Sequence, residues 1–192
     1  MKFLKRIGLY GVSGTGKTTI LKAVVAATSE VVWLQGSDMV LQAANMSLPE
    51  FKCLSDRQKY HFREQAILNA VQIQHEQNKH VIIDAHLAFL SDNGGFENAM
   101  TRQDAEFYTD YIYLNLPATI IHRRLINDTA RPRSREVEIL QSWIEHEMAA
   151  LKKFCLSNGS VLTILENDDL NSAVQFICKY VAPTNVNESN KY

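Results

Sequence analysis

The sequence predicts an α/β fold, a parallel sheet of five strands with helices on both faces, on three observations. Short β-branched or aromatic runs alternate with longer amphipathic ones, the pattern of successive βαβ units. The short runs are almost continuously apolar, as strands covered on both faces must be. A glycine-rich turn separates the first of these runs from the first helical one.

In chain order the predicted strands are Arg6–Tyr10, Val31–Gln35, His80–Asp84, Asp110–Asn115 and Val161–Leu165. Gly36-Ser37-Asp38 follows the second strand and opens a helix. Ser55, with Gln58 three residues later, forms a capping box ahead of a long helix. In that helix Tyr60, Ala66, Ile67, Ala70, Val71 and Ile73 fall largely on one face. Pro117 stands where a first-turn proline is tolerated, before a helix over 118–128. A further helix runs from Arg135 to Ser157 behind Ser134 and stops at Asn158-Gly159, a common C-terminal cap. The stretch 88–102 has no clear period and predicts an irregular loop beside the third strand. The polar end, 183–192, predicts a frayed tail after a single domain over 1–182.

Composition narrows the function. At 192 residues with 46% apolar and 21% charged positions, the chain suits one compact soluble domain. A formal charge of −1 provides no whole-surface positive field, which argues against coating an extended nucleic acid. Cys53, Cys155 and Cys178 stand in no CxxC or metal-ligand spacing and predict reduced core thiols. The basic opening 1–6 meets glycines at once, so no secretory leader is expected, and the apolar run Ile20–Ala27 is too short to span a bilayer. The expectation is a cytoplasmic protein.

Gly11-Val-Ser-Gly-Thr-Gly-Lys17-Thr18 matches G-x-x-x-x-G-K-[ST] between a strand-like and a helix-like run, the context the motif requires. Its glycines let successive backbone N–H groups turn toward phosphate oxygens, and the helix behind it offers the positive end of its dipole. Gly11, Ser13, Gly14, Thr15, Gly16, Lys17, Thr18 and Thr19 are therefore the candidate cradle for a nucleoside triphosphate. Lys17 would bridge β- and γ-phosphates, and Thr18 would place a hydroxyl on Mg²⁺. Val81-Ile82-Ile83-Asp84 ends an apolar strand in a carboxylate, at the sheet edge that faces the ligand crevice; Asp84 is the second candidate magnesium ligand.

Five of the nine arginines, Arg123, Arg124, Arg131, Arg133 and Arg135, fall within thirteen positions of a neutral chain. Asp128 balances one of them. Guanidinium forks suit polyphosphate oxygens and keep their charge, so a segment carrying Arg124, Arg131 and Arg133 that closes over the triphosphate would neutralise charge on the transferred group. On the acceptor side stand Asp38, which equally suits a helix cap, then Arg57 and His86. Tyr60, Phe62, Trp33, Trp143 and Phe154 have spacings that favour core packing over base stacking.

Taken in order, the strand-loop-helix at 11–18, the Gly36-Ser37-Asp38 turn, Ile82-Ile83-Asp84-Ala85-His86, and Arg123-Arg124 followed by Asp128, Arg131 and Arg133 resemble the archaeal-type adenylate kinases within the nucleoside monophosphate kinase group. The resemblance runs from residue 5 to about 167. It implies a P-loop NTPase fold, an acceptor-binding region at about 36–75 and a short arginine-bearing lid at about 124–136. It implies Asp38 and Arg57 beside the acceptor, Asp84 beside magnesium, and Arg124, Arg131 and Arg133 on the lid. The chain departs from the family at 88–102, where Asp92-Asn93-Gly94-Gly95-Phe96 replaces the substrate segment.

These residues predict Mg²⁺-dependent transfer of the ATP γ-phosphate to a small phosphorylated acceptor, a nucleoside monophosphate. Two other readings stay open: a kinase of a hydroxyl-bearing small molecule or polynucleotide end with Asp38 as base, and a nucleotide-dependent switch ATPase. If the lid arginines act in the transition state, replacing Arg131 and Arg133 together by Ala should lower kcat about a hundredfold or more while ATP affinity changes little. Steady-state kinetics beside ATP titration checks this; a loss confined to binding would make them ground-state contacts.

Overall fold

The computed structural model describes residues 3–90, 95–128, 136–166 and 169–182. Five parallel strands form its centre: β1 (Arg6–Tyr10), β2 (Val31–Gln35), β3 (His80–Asp84), β6 (Asp110–Asn115) and β7 (Val161–Glu166), in the order β2-β3-β1-β6-β7. The five sequence-predicted strands are these five. The order reverses at β1, which lies between β3 and β6, and the C-terminal end of such a switch point is where these sheets take ligands.

Alternation along each strand sorts side chains between two cores. Ile7, Leu9, Ile82, Ile112 and Leu114 face α1 (Lys17–Ala27) and α8 (Leu170–Val181). Tyr10, Val81, Ile83, Tyr111 and Tyr113 face the other way, against α2 (Gly36–Ala44), α4 (Asp56–Gln77) and α7 (Val137–Asn158). A third cluster at the C-terminal rim joins Val12 and Leu116 to α6 (Ala118–Ile126) and the start of α7 through Ile121, Leu125, Leu140 and Trp143.

Local signals set the helix ends. Ser55 and Gln58 form the capping box of α4, and Asn78 ends that helix in the left-handed region. Gly159, at φ +63°, caps α7. Two short helices, α3 (Leu48–Lys52) and α5 (Arg102–Phe107), open with their own boxes at Ser47/Glu50 and Thr101/Asp104. Pro117 occupies the N-cap of α6, not its first turn, and α6 ends at Ile126, before Asp128.

Several expectations are corrected. The stretch 88–102 holds an antiparallel pair, β4 (Ala88–Leu90) with β5 (Phe96–Asn98), and the first residue of α5. Strands of three residues are too short to show a period, and distant partners hold them: Glu97 pairs with Arg63 at 3.2 Å and Lys59 at 3.9 Å on α4, and Phe96 stacks on His146 of α7 at 4.2 Å. The β7 strand is not covered on both faces; as the sheet edge it leaves Val161 61% and Ile164 40% exposed. Helix α4 buries Ala66, Ile67, Ala70 and Gln74, whereas Tyr60 and Val71 lie exposed, the Tyr60 hydroxyl accepting the Arg102 N–H at 3.0 Å. Cys155 is a core thiol and Cys178 half-buried, but Cys53 is exposed; all three are free. Arg131 and Arg133, expected on a lid, with Arg135, and the segment 183–192, expected as a tail, lie outside the described residues.

Gly36 lets the turn after β2 close onto β3, because a Cβ there would stand 2.8 Å from the Asp84 carbonyl oxygen. Gly36→Ala should therefore push β2 and β3 apart at the end that carries Asp84. The expected cost is about 1–3 kcal/mol, several degrees in Tm; thermal unfolding followed by circular dichroism checks it, and an unchanged Tm would contradict the close approach.

Candidate phosphate-binding site

The turn between β1 and α1 curls through three glycines at positive φ: Gly11 at 141°, Gly14 at 93° and Gly16 at 100°. L-residues with a Cβ avoid this region. Gly14 is also confined sterically, since a Cβ would meet Ile121 and Leu125 of α6 at 3.0 Å. Thr15 ties the turn to itself through Oγ1–H to the Val12 carbonyl at 2.9 Å. Gly16 is the N-cap of α1 and provides no side-chain cap, so the first-turn N–H groups face the loop mouth as an anion site requires.

Lys17 is only 6% exposed. Its Nζ donates to the Gly11 carbonyl at 2.5 Å and the Val12 carbonyl at 3.5 Å, and stands 3.8 Å from Asp84 Oδ1. Burial pushes the ammonium below its ordinary pKa; the carboxylates of Asp84 and then Glu147 push back. Asp84 itself is raised by burial, against the pull of Lys17 and of a hydrogen bond from Thr18, whose Oγ1 donates to Asp84 Oδ2 at 3.2 Å. Thr18 and Thr19 lie exposed on the first turn of α1.

Arg124 reaches back from α6 to the same turn, Nη1 donating to the Thr15 carbonyl at 3.1 Å. Of the residues expected on the acceptor side, Asp38 is the one whose charge acts on Asp84. It sits in the first turn of α2 and takes hydrogen bonds from Gln35 Nε2 at 2.8 Å and Ser37 Oγ at 3.4 Å. The N-cap of α2 is Gln35, not Ser37 or Asp38. His86 is half-buried and packs its ring 5.5 Å from Phe89. Arg57 is exposed on the first turn of α4, with no contact to this group among the described residues.

A hard divalent cation fits the pair Thr18 and Asp84. Mg²⁺ takes oxygen ligands, commonly one or two from protein with the remainder from water and phosphate; a hydroxyl and a carboxylate 3.2 Å apart meet that need. Among the described residues no cluster of three or more His, Cys, Asp and Glu offers an all-protein cage. Two surface depressions, of about 440 and 520 Å³, flank α7 and include none of the loop residues. Thr18 and Arg124 border the loop instead, through Asp84 and the Thr15 carbonyl respectively.

Sequence reasoning missed Glu147, fully buried on α7, and Gln35. Glu147 did leave a trace: it interrupts the apolar stripe Leu140, Trp143, Ile144, Leu151 at a position where the helical period places a core residue.

A β1-loop-α1 phosphate turn at the switch point of a β2-β3-β1-β6-β7 sheet defines the P-loop NTPase fold. A family model described as an AAA domain (AAA_17) matches residues 10–141, more than half of the chain, and the chain belongs to that family. No curated protein matches it. Among solved structures it is similar to shikimate kinase from Bacteroides thetaiotaomicron, with 18% identity over 92% of this chain and 97% of that one and a TM-score of 0.62. Shikimate kinase from Acinetobacter baumannii, in complex with shikimate, shares 15% identity, 94% of each chain and a TM-score of 0.59. A gluconokinase from Sinorhizobium meliloti shares 13% identity over 95% and 94%, with a TM-score of 0.52. These likenesses carry the P-loop kinase fold. No helix among the described residues is long and apolar enough to cross a membrane.

Replacing Lys17 by Ala removes the one cation inside the described turn and leaves Asp84 and the buried Glu147 without its charge. Mg·ATP turnover should fall about a hundredfold or more with the fold retained, as coupled ADP-release assays and a melting curve would show. An unchanged rate would remove the loop from the chemistry.

Proposed function

We propose that this protein is a kinase that moves the γ-phosphoryl group of Mg·ATP onto a hydroxyl oxygen of a small molecule, with Asp38 as the base. The observation that carries this reading is the place of Asp38: a carboxylate at the same sheet edge as Lys17, Thr18 and Asp84, near enough for its charge to act on Asp84. The similar structures are shikimate kinases and a gluconokinase, whose acceptors bear alcohols.

As the hydroxyl oxygen bonds to the γ-phosphorus, its proton passes to Asp38 and the bond to the β-bridging oxygen breaks, releasing ADP. Bound at Thr18 and Asp84, Mg²⁺ supplies charge neutralisation on the phosphates. Lys17 and the first-turn N–H groups of α1 hold those phosphates in line, and Arg124, Arg131 and Arg133 supply further positive charge. Arg57 and His86 serve as acceptor contacts, the first suited to an anionic group.

A nucleoside monophosphate acceptor is the second reading, favoured by the ordered motifs resembling archaeal-type adenylate kinases. An ionised phosphate oxygen needs no base, so Asp38 separates the two. In a phosphotransfer screen over nucleoside monophosphates and phosphorylatable alcohols, Asp38→Asn should cut transfer to an alcohol by about 10²–10⁴ with ATP binding unchanged. Transfer to a monophosphate that survives the substitution would support the second reading. ATP turnover independent of every acceptor would overturn both and favour a switch ATPase.

A further inference from the structure

Glu147 lies outside the groups used above, yet it is among the most confined charged side chains of the molecule, with no exposed surface. One oxygen accepts the Ala88 N–H at 3.3 Å. One turn earlier on α7, Trp143 Nε1 donates to the Ala88 carbonyl at 3.1 Å. Helix α7 thus grips both sides of Ala88, the first residue of β4, four positions beyond Asp84. The other Glu147 oxygen is buried with no hydrogen-bond partner among the described residues.

The groups around this carboxylate are few. Leu87 and Ala88 face it from the segment after β3, Trp143 from its own helix, Tyr113 from β6 and Lys17 from α1. Lys17 is the cation in that set, and Glu147 is the second carboxylate acting on Lys17, after Asp84. Burial pushes the Glu147 carboxyl up to about 7 even with Lys17 pulling it down. A polyphosphate in the loop brings several negative charges to Lys17 and takes over its attraction. A buried carboxylate left without its cation, and with an oxygen that receives no donor, is costly as an anion and far less so as an acid.

We propose that Glu147 is a positioning residue of the phosphate site, acting through Lys17 and the Ala88 peptide: it is the ammonium's second counter-charge while the loop is empty and takes a proton from solvent when a polyphosphate claims that ammonium. This rests on the reading of the loop as a polyphosphate site but not on the identity of the acceptor. The step forms no covalent bond between ligand and protein; a proton leaves the buffer and ends on the unpartnered Glu147 oxygen, and the carboxylate charge is lost.

The test is isothermal calorimetry of the full chain with Mg·ATP and with inorganic tripolyphosphate, in buffers of different ionisation enthalpy, corrected for the ligands' own titration. Near pH 7.5 the wild type should take up about half a proton or more per ligand beyond the uptake of Glu147→Gln. Because wild-type binding must then protonate a group that titrates near 7, the ratio of Glu147→Gln to wild-type affinity should grow about tenfold from pH 6 to pH 8. A side chain that only packs would leave that ratio flat. Equal proton numbers in the two proteins, with both binding, would overturn the proposal and leave the phosphate site standing; no binding by the wild type would overturn the site itself. If Glu147→Gln does not fold, the wild type decides alone: uptake must disappear below about pH 5, where the acid form already prevails, and persistence there would overturn the assignment.

Discussion

A buried ammonium at the mouth of a parallel sheet is the constraint on which the rest of this structure depends. Lys17 would be far better solvated in water, and burial lowers its pKa accordingly. It stays charged because the chain surrounds it with carbonyl oxygens from Gly11 and Val12 and with carboxylates from two other elements. Each partner must be held in register for this to succeed. The close contact of Gly36 with the Asp84 carbonyl, the packing of Gly14 on α6 and the grip of α7 on Ala88 serve that register. Loop, sheet edge and long helix form one electrostatic unit.

That unit is tense by design of charge. Burial disfavours the charged forms of Lys17, Asp84 and Glu147 alike, and the attraction between the ammonium and the two carboxylates works against that cost. An arriving phosphate does not meet a solvated lysine that it must strip of water. It meets a partly desolvated ammonium already directed at the loop, so little reorganisation accompanies binding.

Local features were legible in the sequence because their causes are local. The glycine spacing at 11–16 dictates the positive φ values, Ser55 with Gln58 announces α4, and Gly159 ends α7. Asp84 was readable because an apolar run ending in a carboxylate describes a central strand meeting a crevice. What escaped was set by partners far along the chain. The β4–β5 pair depends on Lys59, Arg63 and His146, and nothing within 88–102 reveals them. Edge position, not composition, exposes β7, whose residues read like those of a covered strand. Arg124 showed as one of a basic pair, but only the packing of α6 on the loop reveals that it holds the Thr15 carbonyl. Glu147 was visible as an interruption of an apolar stripe, and only three dimensions show that it holds the Ala88 N–H and that its charge acts on Lys17.

The central place of β1 has a consequence for how the molecule comes into being. At its base, Lys5 bonds to a residue 75 positions downstream and Arg6 to one 103 positions downstream. Such long closures are slow relative to local helix formation. During synthesis the glycine turn emerges well before β6, yet β1 has no second neighbour until β6 has left the ribosome. The earliest-made part of the cradle is thus among the last to acquire its shape, and a chain interrupted before β6 carries the whole motif with no cradle.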